Sequence, residues 1–297
     1  MTGNDFTGSM NSGMESVNRH SRILRLVARL FALSFHEAWR NKLGMVLFFS
    51  IPAVFLAAVQ LTAGQGTVVV KLYYPKETLQ VLLTVRHACM VFAATAVCGF
   101  LSSYYALILF HQDFEYFRFC VFNGLHPGFF LAGRFSFFIV LILFLAAGTT
   151  LLTGQLVTVY HPVHMFIGFV LIGIVYGACG GIAGMMTRDF LLAFLSVGLL
   201  ADLDAAWLQN PVYYSAGQNL ELIRWLPAFF PSQMIFAAGF TQDQNPSAVK
   251  GSIAYAAILL CILVSVILLR LGRVRRFFHR QPPDDESTLN IPIGEKP

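Results

Sequence analysis

Two aspartates inside an apolar run are the residues whose type and position most suggest chemistry. Asp202 and Asp204 lie near the end of the run FLLAFLSVGLLADLDAAWL. A charge at mid-bilayer costs at least ~2.5 kcal/mol, so such groups usually face protein or a wet cavity. Three interpretations remain open: a path for a cationic or polar substrate, a proton relay, or a helix that ends near Ala201 and leaves both carboxylates in water. A spacing of two residues argues against a catalytic carboxylate pair on one helix face.

A second group of polar residues lies in the segment HQDFEYFRFCVFNGLHPGFFLAGR, residues 111–134. His111, Asp113 and Glu115 suggest a metal site, but residues two apart on a helix face different ways and no further ligand is close in sequence. We therefore predict no metal ion here. The same segment better fits a short surface helix, in which Glu115 and Arg118 pair three residues apart.

The motifs of several enzyme classes are absent from the chain. The sequence contains no GxxxxGK[ST] phosphate loop, so it is not expected to hydrolyse ATP in that way. It also has no HExxH zinc motif and no GxSxG nucleophile motif. These absences leave a soluble enzyme without sequence support.

The composition is that of an integral membrane protein. Hydrophobic residues make up 57% of the 297 residues and charged residues only 12%, about half the charged share of soluble domains. Several apolar runs reach the ~20 residues that a helix needs to cross a bilayer. We predict an all-α fold with six transmembrane helices, roughly Gly44–Ala63, Leu82–Phe110, Phe129–Leu152, Val163–Met186, Phe190–Leu208 and Ser252–Leu271.

The distribution of positive charge predicts the orientation of these spans. Basic residues favour the cytoplasmic side of a membrane. With the N-terminus inside, most of the 20 lysines and arginines fall on that side. Only a minority fall outside, namely Lys71, Lys76, Arg86, Arg224 and Lys250. We therefore expect a multi-pass protein of the cell membrane, most simply a bacterial plasma membrane, with both termini cytoplasmic. Because the basic residues flank membrane spans, we expect no binding to nucleic acid.

Three further segments complete the predicted organisation. Residues 22–42 have basic and apolar residues at helical spacing, which predicts an amphipathic helix lying in the cytoplasmic interface against membrane lipids. The stretch 220–240 is broken by two prolines, which favours a short extracellular re-entrant helix pair before the last span. The polar ends, 1–21 and 279–297, are expected to be disordered and to flank one membrane domain, 22–278.

A stripe of small residues marks the fourth predicted span. Gly173, Gly177 and Gly181 recur every fourth residue, which permits close packing of helices. We expect this stripe to pack within one subunit, and a dimer seam is the alternative.

This layout resembles the permease family of ATP-binding-cassette (ABC) type-2 exporters. That family has an interfacial N-terminal helix, two spans, and a cytoplasmic coupling helix that ends in a glycine turn and a basic residue. Glu115, Arg118, Gly124 and Arg134 occupy those places here. The family also has short extracellular helices before the last span, to which residues 210–240 are similar. The resemblance covers most of 22–278, although the acidic-Arg-Gly cluster before the coupling helix is only partly present, as QDFEYFRF.

The resemblance implies that 22–278 is a six-span permease domain and that the chain is a permease subunit, without being an enzyme itself. The exported substrate is unidentified, and an amphiphilic molecule is one candidate. It implies a cytoplasmic ATP-binding subunit that holds ATP and Mg²⁺, no cofactor on this chain, and a second permease subunit in a homodimer or heterodimer. The residues expected to couple to the ATPase are Phe114, Glu115, Phe117, Arg118, Gly124 and His126. Asp202 and Asp204 are the candidates for the translocation path. An ion-coupled secondary transporter that uses these two aspartates is the alternative.

Overall fold

The computed structural model describes residues 24–74, 78–111, 127–187, 189–209, 223–243 and 245–278. The predicted disordered ends, 1–21 and 279–297, lie outside these residues. The elements, in chain order, are α1 (24–40), α2 (Lys42–Thr62), β1 (Thr67–Tyr73), β2 (Thr78–Thr84), α3 (Val85–His111), α4 (Pro127–Leu156), α5 (Pro162–Met186), α6 (Phe190–Ala201), a π-helix (Asp202–Leu208), α7 (Phe229–Phe240) and α8 (Pro246–Phe278).

Five helices in the described part of the chain are long and apolar enough to cross a membrane. They lie in α2, α3, α4, α5 and α8, and their apolar stretches have 19 to 29 residues. This confirms the prediction of a mostly helical membrane protein. A sixth span stays a prediction, because the run Phe190–Leu208 is divided into the 12-residue α6 and a seven-residue π-helix.

Local sequence signals explain where several of these helices begin. The Asn41 side chain accepts a hydrogen bond from the backbone N–H of Gly44 at 3.0 Å, which caps α2 and separates it from α1. Asp189 caps α6 through the backbone N–H groups of Leu191 and Leu192. Such caps typically contribute ~1 kcal/mol each to helix stability. Pro162 opens α5, where its missing N–H leaves no bond unmade.

Two helices, α3 and α5, form the centre of the bundle. In the most apolar 18-residue stretch of each helix, 78% of the residues of α3 and 67% of those of α5 are buried. The corresponding shares are 17% in α2 and 22% in α8. The apolar side chains left exposed on the outer helices include Phe49, Phe55, Phe144 and Leu268. An outer apolar surface of this kind is what lipid contact requires.

Glycines on α5 allow its neighbours to approach closely. A Cβ atom added at Gly180 would lie 2.1 Å from the backbone oxygen of Ser103, so α3 and α5 touch backbone to backbone. A Cβ added at Gly173 would lie 2.8 Å from a side chain of α4, and one added at Gly177 would lie 2.1 Å from another side chain of α4. One added at Gly181 would lie 3.0 Å from a side chain of α8. All three glycines of the stripe thus contact helices of the same chain, and their place in a dimer stays untested.

A β-hairpin, absent from the sequence prediction, joins α2 to α3. β1 and β2 pair antiparallel, with Thr67 opposite Thr84 and Tyr73 opposite Thr78. The predicted second span began at Leu82, but residues 82–84 belong to β2 and the helix begins at Val85. The apolar strand runs directly into the apolar helix, so hydropathy alone does not mark the boundary. We call the end of the bundle that carries this hairpin the hairpin end.

The predicted re-entrant pair, 220–240, is described from residue 223 onward. The chain makes a turn at 223–228 and then forms α7, a 12-residue apolar helix that is largely buried. Residues 210–222, which include the start of the predicted pair, lie outside the described residues. The buried face of α7 packs on α5, since a Cβ at Gly168 would meet Ile235 at 2.5 Å.

Candidate functional site

The π-helix gives its two aspartates opposite surroundings. Asp204 is 1% exposed, whereas Asp202 is exposed. The widened turn is visible in the backbone N–H of Gln209, which donates to the carbonyl oxygen of Asp204, five residues back, at 3.1 Å. Such wide turns are rare and occur frequently at functional sites.

Three donors surround the buried Asp204 carboxylate. The Tyr176 hydroxyl donates to Oδ2 at 2.5 Å and the Ala228 backbone N–H donates to the same oxygen at 2.9 Å. The Gln209 side-chain N–H donates to Oδ1 at 3.0 Å. Burying a carboxylate is costly unless it is hydrogen-bonded, so these donors stabilise Asp204 in this place.

These hydrogen bonds connect three separate elements. Tyr176 belongs to the central helix α5 and is 0% exposed, Gln209 follows the π-helix, and Ala228 precedes α7. Asp204 therefore ties the end of the divided run to the centre of the bundle. The arrangement can hold the π-helix in register against α5 and α7.

The second candidate site is the junction of α1 with the first turns of α4. The Arg134 guanidinium, 2% exposed as a residue, forms an ion pair with Glu37 of α1 through Nη1 and Oε2. It also lies 5.2 Å from the centre of the Phe130 ring. A buried guanidinium needs such a partner, because an unpaired charge in the interior is strongly unfavourable.

Close packing reinforces this junction. A Cβ at Gly133 would lie 2.6 Å from the Cβ of Leu30, so the glycine lets α1 approach the α4 backbone. The Phe31 and Phe137 rings make an edge contact at 5.8 Å between centres, and Phe35 meets Phe137 at 6.5 Å. α1 is thus fixed to α4 by charge, shape and aromatic contact together.

The sequence pattern does not identify several residues of these sites. It marks Arg134 as a basic residue at the start of the third predicted span, but not its partner Glu37. A signal existed, since Glu37 is the one acidic residue between 24 and 40 and Arg134 interrupts an apolar run. Tyr176 and Gln209 carry no comparable signal, because neither an isolated Tyr nor an isolated Gln indicates a partner distant in sequence.

The predicted ATPase-coupling residues, Phe114, Glu115, Phe117, Arg118, Gly124 and His126, lie outside the described residues. The helices that flank them are described. α3 ends at His111, whose Nδ1 lies 3.3 Å from the Gly184 carbonyl oxygen and whose ring contacts Phe190. α4 begins at Pro127, within two turns of Arg134. The helix ends at residues 111 and 127 therefore lie at the end of the bundle at which α1 packs, which we call the α1 end.

No group of three or more His, Cys, Asp or Glu residues that could hold a metal ion occurs in the described part of the chain. No family model matches the chain, and no curated protein is similar to it.

Proposed function

We propose that the chain is the permease subunit of an ATP-driven exporter of the ABC type-2 kind. In this proposal it is one half of a dimer in the cell membrane, with both termini in the cytoplasm. A separate cytoplasmic subunit binds ATP and Mg²⁺ and docks on the segment 112–126. The cargo is unidentified, and an amphiphilic molecule that leaves the cytoplasm or the inner leaflet is one candidate.

The junction of α1 with α4 is the observation that carries this proposal. The Glu37–Arg134 ion pair and the Leu30–Gly133 contact attach a surface helix to the span that directly follows the coupling segment. A push on residues 112–126 would reach α4 at its first turn. Because α1 is attached there, both helices would move as one unit, and this is how a partner's closure would shift one permease half against the other.

The ion-coupled alternative has weaker support from the geometry. Asp204 is buried and already accepts three hydrogen bonds, which leaves about one of the four acceptor sites of its carboxylate for an ion. Asp202 is exposed and remains the residue on which that alternative depends.

Co-purification from native membranes tests the proposal. A tagged chain extracted in a gentle detergent should retain an ATPase in a fixed ratio, and the chain stripped of this partner should hydrolyse no ATP. Recovery of the full-length chain without any ATPase, under several gentle detergents, would contradict the proposal.

A charge reversal locates the contact. Exchange of Glu115→Arg together with Arg118→Glu should remove the ATPase from the purified complex while membrane insertion stays normal. Lys250→Glu is the matched control, because Lys250 is exposed at the hairpin end, away from 112–126. Equal ATPase recovery in both variants would exclude Glu115 and Arg118 from the interface.

A further inference from the structure

The two edges of the hairpin differ in how their backbone groups are satisfied. On β1, the Tyr73 backbone N–H donates to Oε1 of Gln233 at 3.0 Å, and the Asn245 side-chain N–H donates to the Tyr73 carbonyl oxygen at 2.6 Å. These bonds attach β1 to α7 and to the start of α8. The edge of β1 is therefore attached to the bundle at Tyr73.

The same bonds establish which residues face the other edge. Both backbone groups of Tyr73 point away from β2, so Tyr73 and Thr78 form a pair without hydrogen bonds between them. Backbone direction alternates along an antiparallel ladder. Consequently Gln80 and Leu82 of β2 also direct their N–H and C=O groups outward, to the edge that β1 does not occupy.

This outer edge of β2 is open among the described residues. No described residue exchanges a backbone hydrogen bond with the outward groups of Gln80 or Leu82. Leu82 is 67% exposed and Leu79 is 37% exposed. Natural proteins usually protect such an edge with charged residues, proline or a bulge. The strand TLQVLLT contains no charge and no proline.

We propose that β2 pairs with β2 of a second copy of this chain, so that the two hairpins form one four-stranded antiparallel sheet. This rests on the proposed function only in that a type-2 permease acts as a dimer. Two identical strands related by a two-fold axis run antiparallel, so each edge supplies the donors and acceptors that the other lacks. The absence of charge on β2 means that two copies do not repel each other at this edge.

The outward direction of Gln80 and Leu82 selects a register. Full overlap of the two strands places Gln80 of one copy opposite Leu82 of the other, and each such pair exchanges hydrogen bonds. Val81 then lies on the two-fold axis, facing Val81 of the other copy across a pair without hydrogen bonds. In such pairs the Cα atoms are about 4.5 Å apart, within the range that a disulfide spans.

Cysteine cross-linking in native membranes tests this register. Under mild oxidation, Val81→Cys should give a disulfide-linked dimer, and the unaltered chain treated identically gives the background. Leu79→Cys and Leu83→Cys should each fail to cross-link alone, because two copies of either residue lie roughly 13 Å apart along the strands. Co-expressed with different tags, these two variants should cross-link to each other, since 79 and 83 are opposite.

A proline variant tests the hydrogen bonds themselves. Gln80→Pro removes an outward N–H and is tolerated at an edge, because β1 does not use this group. In the Val81→Cys background, Gln80→Pro should lower the cross-linked fraction about fivefold for each hydrogen bond lost between residue 80 of one copy and Leu82 of the other. Gln80→Ala is the matched control, because it keeps the N–H, and its cross-linked fraction should equal that of Val81→Cys alone.

The outcomes separate this inference from the proposed function. The pairing is overturned if Leu79→Cys alone cross-links as strongly as Val81→Cys. It is also overturned if neither Val81→Cys nor the co-expressed Leu79→Cys and Leu83→Cys variants cross-link. The same membranes are used for ATPase co-purification. Cross-links at the expected positions without a co-purified ATPase would support the β2 pairing and contradict the exporter function. A co-purified ATPase without cross-links would support the exporter function and contradict the pairing.

Discussion

Removal of the Asp204 carboxylate is the most direct test of the role that the structure gives this residue. Asp204→Ala leaves the Tyr176 hydroxyl, the Gln209 amide and the Ala228 N–H without their acceptor in a buried site. A hydrogen bond to a charged group contributes about 1.5–3 kcal/mol, part of which is recovered because no carboxylate is buried any longer. We expect a net loss of about 3–5 kcal/mol of stability.

The isosteric variant Asp204→Asn should lose far less. Its remaining oxygen can take the position of Oδ2 and accept from Tyr176 and Ala228. Its amide N–H₂ then faces Gln209, whose own amide can turn over and present an oxygen instead. All three contacts survive as neutral hydrogen bonds, so we expect a loss of about 1–2 kcal/mol.

Thermal denaturation in detergent, followed by the monodisperse fraction that survives heating, measures the difference. At about 2 °C per kcal/mol, Asp204→Ala should lower the apparent midpoint by roughly 6–10 °C and Asp204→Asn by roughly 2–4 °C. Asp202→Asn is the matched control and should leave the midpoint unchanged, because Asp202 is exposed. A midpoint for Asp204→Ala equal to that of the unaltered chain would show that the Asp204 hydrogen bonds do not stabilise the attachment of the π-helix to α5 and α7.

Three further substitutions test the packing of the bundle, each by the same thermal assay or by proteolysis. Glu37→Ala leaves Arg134 buried without this partner and should cost about 3 kcal/mol, whereas adding Arg134→Leu should restore much of the loss; an equal midpoint for the single and double variants would contradict this. Gly180→Ala places a Cβ 2.1 Å from a backbone carbonyl oxygen of α3 and should lower the midpoint by several degrees, while Gly148→Ala, which meets nothing within 4 Å, should not. Asn245→Ala removes a bond to β1 and should speed protease cleavage in the hairpin, so an unchanged cleavage rate would argue against this anchor.

How far the sequence predicts this fold depends on the range of the interaction involved. Long apolar runs predict the spans well, because a bilayer imposes a minimum length on every helix that crosses it. The hairpin was missed because its second strand is as apolar as the helix that follows. The end of this seven-residue strand, 82–84, therefore resembles an extension of the second span.

The candidate sites show the same limit. An aspartate in an apolar run marks a place of interest, but not its environment, and Asp202 and Asp204 are exposed and buried respectively. The partners of Asp204 come from positions 176, 209 and 228, which no local spacing connects. The Glu37–Arg134 pair likewise joins residues 97 positions apart. Pairing at such separation is a property of the folded bundle.

The difference between the two aspartates also provides a way to decide between the two transport mechanisms. Ion coupling requires a titratable group that is not enclosed by hydrogen-bond donors of the bundle, and Asp202 is the member of the pair that lies on the bundle surface. Liposomes that contain only this chain and an internal pH-sensitive dye should hold an imposed proton gradient if the chain needs an ATPase partner. Asp202→Asn should then change nothing. A proton leak that the unaltered chain causes and Asp202→Asn abolishes would favour the ion-coupled transporter, because an exporter driven by ATP has no use for that protonation.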